Sequence, residues 1–244
     1  MEFKKLGKSD LTVSAYCLGT MTFGEATSET DSHLQIDQSL ASGINFIDTA
    51  EMYPTCPLRE ETTGDTEVII GNWIEKNKSK RADFVLATKI SGKGYKAVRN
   101  GEGIDEKSIK IAIEGSLKKL KTDYIDLYQL HWPNRGSYHF RQNWNYNPTN
   151  QDTEIAKDNI NGVLNSLSDL QKEGKIRHIG LSNETCWGTS HFLDQLKNFS
   201  NLIIASIQNE YSLLCRLYDL DMAEMSHHEN ISLLSYSPLA GGFL

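Results

Sequence analysis

Short apolar runs rich in β-branched residues alternate along this chain with longer amphipathic segments, and this alternation restricts the possible folds most strongly. A strand–helix–strand order requires crossover connections, so the strands are predicted to run parallel in one sheet. The predicted strands are Ala15–Leu18, Asn45–Ile47, Phe84–Ala87, Tyr124–Leu130, His178–Leu181, Ile203–Ile207 and Ser232–Ser235. A hairpin of Phe3–Leu6 and Leu11–Val13 is predicted to precede them.

Helices are predicted where apolar residues recur at spacings of three and four. The clearest pattern is Ser108–Leu120, in which Ile109, Ile113 and Leu120 share one face. The other predicted helices are Ser32–Ala41, Glu67–Lys76, Asn161–Lys172, Gly188–Lys197 and Leu214–His227. Seven strands in series are more than an open doubly wound sheet usually has, whereas a TIM (β/α)8 barrel has eight. We therefore predict a single α/β barrel domain over residues 1–244 that stops after its seventh strand.

Composition excludes several classes of function. The net charge of −7 gives no basic footprint for nucleic acid, and no apolar run approaches the about 20 residues that span a membrane. The four cysteines are scattered without a C-x-x-C pair, and the N-terminus has no apolar signal-peptide region. We expect reduced thiols, a cytoplasmic location and no metal site, and the oligomeric state cannot be predicted.

Two long segments interrupt the alternation, Ser91–Glu106 and Trp132–Asn159. The second is rich in Asn, Gln and aromatic residues, and loops of this length are usually functional or disordered. Its aromatic residues favour an ordered lid. Trp132, Tyr138 and Trp144 also suggest apolar or planar carbonyl substrates.

Polar or aromatic residues follow every predicted strand. In a barrel, the chemistry takes place at the carboxyl ends of the strands. Each residue alone has an ordinary structural explanation, such as a helix cap after a strand or a solvated lysine. Their occurrence in series favours a site formed by Gly19, Thr20, Met21, Asp48, Tyr53, Lys89, His131, Ser182, Asn183, Gln208 and Tyr236.

Four of these residues supply the groups that carbonyl reduction needs besides a hydride donor. A neutral tyrosine, Tyr53, can donate a proton at pH 7. The ammonium of Lys89 would stabilise the phenolate left behind, and the carboxylate of Asp48 would orient that ammonium. A neutral His131 can hydrogen-bond the substrate oxygen. No metal is needed for this chemistry.

Several segments around these residues resemble the aldo-keto reductase family. They are Gly43–Tyr53 around the aspartate and tyrosine, Leu86–Lys89, Tyr124–Pro133, Gly174–Asn183, Ile207–Ser212 and Tyr236–Gly242. The resemblance covers the whole chain in order. It is strongest to the bacterial Tas-like branch, because of Glu51–Pro54 and the long loop after His131.

The resemblance implies NADPH as the cofactor, bound without a Rossmann domain. Tyr53 would be the general acid, tuned by Lys89 and Asp48, and His131 would orient the carbonyl. Ser182, Asn183 and Gln208 would bind the nicotinamide amide, and Tyr236 would stack on the ring. The remaining cofactor residues implied are Gly19, Thr20 and Met21 beside the nicotinamide, and Ser237, Leu239 and Gly241 along the pyrophosphate.

Family members continue beyond the seventh strand into an eighth strand, its helix and a tail that grips the adenosine 2′-phosphate. We therefore expect that this chain is truncated relative to the natural protein; the alternative is a naturally short protein that completes its barrel with a partner. Three functions stay open: an NADPH-dependent reductase of aldehydes or ketones, a cofactor-binding regulatory module resembling ion-channel β-subunits, and an inactive fragment.

Overall fold

The computed structural model describes residues 1–244, in which seven parallel strands lie side by side in the order of the sequence. These strands are β3 (Leu18–Gly19), β4 (Phe46–Asp48), β5 (Val85–Ile90), β6 (Ile125–Leu130), β7 (Ile176–Ser182), β8 (Ile204–Glu210) and β9 (Ser232–Tyr236). A hairpin of β1 (Phe3–Lys5) and β2 (Thr12–Ser14) precedes them. The predicted parallel sheet and the predicted hairpin are both confirmed.

Helices connect the strands and cover the outer face of the sheet. They are α1 (Glu29–Ala41), α2 (Asp65–Lys76), α3 (Glu106–Leu120), α4 (Thr153–Lys172), α5 (Cys186–Leu196) and α6 (Met222–Glu229). Their apolar faces and the outward residues of the strands form one core of 33 buried residues, which includes Trp73, Ile113 and Leu167. This layer removes most of the apolar surface from water and so stabilises the fold.

The sheet curls round on itself as in a TIM barrel, because side chains of strands that are distant in the row meet inside it. Asp48 on β4 accepts a hydrogen bond from Gln208 on β8, although three strands separate the two. A second core contains Leu6 and Val13 of the hairpin together with residues of β4, β5, β6 and β8. The hairpin therefore packs against the amino ends of the strands, opposite the end where His131 lies.

Charged residues fasten the hairpin to this end of the barrel. Asp10 in the hairpin turn accepts a hydrogen bond from Arg177 at 2.9 Å and pairs with His178 at 2.5 Å. Arg177 also donates to the buried Asp126 on β6 at 2.6 Å. Gly7 in the same turn has a φ of +54°, and a Cβ there would collide with the carbonyl of Ala205, so the turn requires glycine at this position.

Several predicted element boundaries are wrong, and three of the differences have a clear physical reason. The first barrel strand is Leu18–Gly19 and not Ala15–Leu18, since Ala15 and Tyr16 are exposed and the Ala15 amide donates to the Glu2 carbonyl beside the hairpin and not to β4. The helix predicted over Leu214–His227 begins only at Met222. Asp152 caps α4 and starts it eight residues before the predicted Asn161, because the Asp152 carboxylate accepts the amides of Glu154 and Ile155.

Candidate active site

The four residues predicted to carry the chemistry meet at the carboxyl ends of three neighbouring strands. Asp48 is the last residue of β4, Lys89 lies one residue before the end of β5, and His131 directly follows β6. The amide of His131 donates to the carbonyl of Ile90 at 2.9 Å and so continues the parallel pairing of β5 with β6. Tyr53 follows β4, and its carbonyl accepts the amide of Gly64 at 2.9 Å, which ties it to the start of α2.

A buried ion pair joins Lys89 to Asp48. The Lys89 Nζ, which is fully buried, donates to the Asp48 Oδ2 at 2.5 Å and to the carbonyl of Thr49 at 2.8 Å. Burial alone would lower the pKa of Lys89, but the negative charge of Asp48, together with the interaction with Tyr53, outweighs it and raises that pKa above its ordinary value. Lys89 is therefore an ammonium at neutral pH.

The second carboxylate oxygen of Asp48 is held by two amides. Its Oδ1 accepts hydrogen bonds from Gln129 at 2.8 Å and from Gln208 at 3.0 Å. The buried carboxylate thus has a donor on each oxygen, which compensates its removal from water. Asp48 cannot rotate without breaking these bonds, so it fixes the position of the Lys89 ammonium.

Tyr53 and His131 face each other beside this ammonium. The Lys89 Nζ lies 4.9 Å from the centre of the Tyr53 ring, and the rings of Tyr53 and His131 are 5.7 Å apart at an angle of 76°. Burial raises the pKa of Tyr53 above its ordinary value, although the charge of Lys89 acts in the opposite direction. Tyr53 therefore carries its proton at neutral pH and can donate it.

His131 is neutral at physiological pH. Burial lowers its pKa well below the ordinary value, and the positive charge of Lys89 lowers it further. The Nδ1 of His131 is buried and has no hydrogen-bond partner within the chain. A neutral imidazole can donate one hydrogen bond without bringing a second positive charge next to Lys89.

A cavity of about 1460 Å³ opens at these residues and extends along the interior towards the hairpin. The sequence-predicted residues that line it are Gly19, Thr20, Met21, Asp48, Tyr53, His131, Asn183, Gln208, Tyr236 and Ser237. Lys89 and Ser182 lie buried beneath this wall, and Ser182 donates to the carbonyl of Gln208 at 2.9 Å. Leu239 and Gly241 are exposed and lie outside the cavity wall.

Asn183 connects two sides of the cavity. Its side-chain amide donates to the carbonyl of His131 and to the Ser182 Oγ, each at 3.0 Å, and its Oδ1 accepts the Tyr236 hydroxyl at 2.8 Å. Asn183 has a φ of +50°, the left-handed conformation that asparagine tolerates better than most residues. The predicted cofactor residues Ser182, Asn183 and Tyr236 therefore form one hydrogen-bonded group next to His131.

No group of three or more His, Cys, Asp or Glu side chains is arranged to hold a metal ion. None of the helices is long and apolar enough to cross a membrane.

Comparison with known proteins places the chain in a family. The profile described as "Aldo/keto reductase family" matches residues 15–244. The chain belongs to this family. Aldo-keto reductases are oxidoreductases that use a nicotinamide cofactor, and the fold and the order of the strand-end residues agree with this membership.

Relatives of known sequence support the predicted branch of the family. The protein tas of Escherichia coli (strain K12) is 43% identical over 247 residues, which cover all of this chain and 70% of that protein. The uncharacterized oxidoreductase YrpG of Bacillus subtilis (strain 168) is 31% identical and is covered to 68% of its length. The predicted likeness to Tas-like aldo-keto reductases is confirmed.

A solved structure in the family has the same fold. The holo form of the aldo-keto reductase AKR11C1 from Bacillus halodurans superimposes with a TM-score of 0.76 and is 29% identical. The match covers all of this chain and 68% of that one.

One residue of the candidate site was not predicted from the sequence, Gln129, whose side-chain amide bonds Asp48. Gln129 lies on β6, two residues before His131 and two after Leu127. Alternate residues of a strand face the same side, so this spacing could have shown that Gln129 faces the interior.

The prediction for the aromatic residues was partly wrong. Trp132 and Phe140 line the cavity, whereas Tyr138 and Trp144 do not, and 90% of the Trp144 side chain is exposed.

A buried histidine in the loop after β6 is expected to make the stability of this aldo-keto reductase depend on pH. Burial lowers the pKa of His139 to about 4, and its Nε2 bonds the carbonyl of Glu184 at 3.1 Å. The unfolded chain binds this proton near pH 6.5, so stability is fully present above that pH and is lost as the pH falls towards 4. We expect His139 to cost about 2 kcal/mol of the free energy of unfolding between pH 7 and pH 5.

Urea unfolding of the wild type and of His139→Gln at both pH values measures this contribution. Glutamine keeps an N–H donor for the Glu184 carbonyl but does not titrate, so the variant should lose about 2 kcal/mol less than the wild type over the same interval. An equal loss in both proteins would show that His139 does not titrate on unfolding.

Proposed function

We propose that this protein reduces aldehydes or ketones to alcohols with NADPH, and that Tyr53 donates the proton. The observation that carries the proposal is the grouping of a protonated Tyr53, an ammonium at Lys89 and a neutral His131 around one cavity. The three groups have the protonation states that acid catalysis of carbonyl reduction requires at neutral pH.

The residues on one side of the cavity fit a nicotinamide group. Tyr236 is partly buried there and offers an aromatic face, and the side-chain amides of Asn183 and Gln208 line the cavity beside it. Asn209, next to Gln208 on β8, has a buried Oδ1 without a partner in the chain. We assign the nicotinamide to Ser182, Asn183, Gln208 and Tyr236 with Gly19, Thr20 and Met21 beside it, and the pyrophosphate to Ser237, Leu239 and Gly241. NADPH is preferred over NADH by family resemblance alone.

The chain's own residues supply the rest of the chemistry. The cofactor, when bound, supplies the hydride. Tyr53 gives its hydroxyl proton to the substrate oxygen, and the ammonium of Lys89 stabilises the phenolate that forms. Asp48 keeps that ammonium in place. The neutral imidazole of His131 donates a hydrogen bond to the same substrate oxygen and so directs the carbonyl towards Tyr53.

The substrate would enter past aromatic side chains. Trp132 packs 4.9 Å from the His131 ring and 6.0 Å from Phe140, and both line the cavity next to Tyr53. These walls favour an apolar small-molecule carbonyl compound.

The four cysteines form no disulfide, which supports a cytoplasmic location.

A titration with NADPH, followed by the fluorescence of the cofactor and run in parallel with NADH, tests the cofactor. Oxidation of NADPH in the presence of a panel of aromatic and aliphatic aldehydes then tests the reaction. We expect saturable binding that prefers NADPH, and turnover that depends on the aldehyde. Protein that unfolds cooperatively but binds neither nucleotide would contradict the proposal.

A further inference from the structure

Two loops at the mouth of the barrel each carry one half of the proposed site. The loop after β6 begins with His131 on the substrate side, and the loop after β7 contains Asn183 on the nicotinamide side. An ion pair joins the loops close to both residues. Arg135 lies four positions after His131, and Glu184 directly follows Asn183.

The Arg135 guanidinium is held on several sides. It forms two parallel hydrogen bonds with the Glu184 carboxylate, through Nη1 at 3.1 Å and through Nη2, and Nη2 also donates to the Thr185 Oγ1 at 3.2 Å. The Arg135 Cζ lies 4.9 Å from the centre of the Trp187 ring. Only 10% of the Arg135 side chain and 4% of the Glu184 side chain are exposed. A bidentate ion pair of this kind fixes the relative orientation of the two side chains as well as the distance between them.

Glu184 is also bonded through its backbone. Its carbonyl accepts His139 Nε2 at 3.1 Å and the Asn209 amide at 3.3 Å. His139 belongs to the loop after β6, and Asn209 lies on β8 next to Gln208. Glu184 therefore connects three consecutive segments of the mouth, those that carry His131, Asn183 and Gln208.

We propose that Arg135 and Glu184 are positioning residues that hold the substrate side and the nicotinamide side of the site in one fixed arrangement. This inference rests on the proposed function, because it assigns His131 and Asn183 to the two sides. A buried ion pair gains little net stability, since the loss of hydration offsets the attraction between the charges. Its geometric effect is the larger one, because without the pair only two hydrogen bonds would join these loops, from Asn183 to the His131 carbonyl and from His139 to the Glu184 carbonyl.

The pair acts at a distance at which small displacements matter. Neither Arg135 nor Glu184 lines the cavity of the candidate site, so neither touches the reacting atoms. Arg135 and Glu184 line a neighbouring pocket, and Trp132–Asn134, which continue directly from His131, line both that pocket and the cavity of the candidate site. A shift of the Arg135 end of this loop moves His131 relative to Asn183, and a misplacement of about 1 Å can lower a rate by about a hundredfold.

The test removes both charges together, in the variant Arg135→Met/Glu184→Leu. Losing both charges avoids leaving one of them buried and unpaired, so the variant should fold. Arg135→Lys keeps the charge but not the two parallel hydrogen bonds. The control is Lys157→Met/Glu154→Leu, which removes an exposed ion pair at 3.1 Å whose two side chains are bonded to each other within α4.

Two measurements are made on each protein. The first is kcat, KM for an aldehyde and the Kd for NADPH. The second is the imidazole carbon–proton NMR signal of His131, assigned by its absence in His131→Asn and recorded without and with NADPH. The NMR signal in the cofactor-free protein does not depend on turnover.

We expect the double variant to lose about tenfold to a hundredfold in kcat, with smaller changes in KM and in the Kd for NADPH. Its His131 signal should move even without cofactor, and Arg135→Lys should lie between it and the wild type. A folded double variant whose His131 signal and kcat match those of the wild type would overturn the inference. A wild type without NADPH turnover would overturn the proposed function instead, and a displaced His131 signal would still support the positioning role.

Discussion

Replacing Tyr53 with phenylalanine is expected to lower kcat by about two to four orders of magnitude and to leave the affinity for NADPH nearly unchanged. The substitution removes the hydroxyl of a ring that lies beside both Lys89 and His131, while the ring keeps its packing against the His131 ring. Because the proton is transferred only in the reaction, the loss should appear in kcat and not in cofactor binding.

The measurement is the steady-state rate of NADPH oxidation with a saturating aldehyde, together with a fluorescence titration of NADPH. Tyr124→Phe is the matched control. Tyr124 directly precedes β6 at the opposite end of the barrel, and its ring stacks on the guanidinium of Arg81 at 4.0 Å. If Tyr53→Phe retained most of the wild-type turnover, the proton would have another source.

Replacing Lys89 with methionine should damage both activity and stability. The substitution leaves the buried Asp48 carboxylate without its counter-ion, and breaking a buried pair in this way costs about 3–5 kcal/mol of the free energy of unfolding. Activity should fall by about a hundredfold or more, since no positive charge stabilises the phenolate of Tyr53.

A second substitution separates the two effects. In Asp48→Asn/Lys89→Met the negative charge is also removed, and the asparagine Oδ1 can still accept from Gln129 and Gln208. The double variant should recover most of the lost free energy of unfolding, measured with urea, but none of the lost turnover. If the single and the double variant unfolded alike, the burial of the Asp48 charge would not be the cause of the instability.

The position of most of the candidate site could be predicted, because it depends on the order of the strands along the chain. The strands β4, β5 and β6 are short apolar runs. The residues that end or follow them lie at one edge of a parallel sheet even if the predicted ends of the strands are off by one or two residues. The prediction placed Lys89 after a strand that in fact continues to Ile90, yet Lys89 reached the same site. The role of each residue came from chemistry and from family resemblance together.

The failures occurred where an apolar pattern does not decide the structure. Ala15 and Tyr16 read as a strand, but they make no ladder pairing, and Leu214 lies in an exposed turn and not in a helix. The pairing of Arg135 with Glu184 could not be predicted, because 49 residues separate them and charged loop residues show no periodicity. Such contacts depend on how two loops meet after the barrel has closed.

Each strand of this barrel has outward-facing residues that pack beneath the helices and inward-facing residues that form the site. Mutations on the two faces are therefore constrained differently. Along β5, Leu86 and Ile90 belong to the outer core beneath the helices, whereas Lys89 faces Asp48 in the interior. Because successive side chains point to opposite faces, a volume-conserving exchange among the outer residues leaves the interior charges where they are. Insertion of one residue into β5 would instead turn Lys89 outwards and bring Thr88 inwards. Differences between this chain and its relatives should therefore be substitutions beneath the helices and changes of loop length. The lengths of the central strands should stay constant.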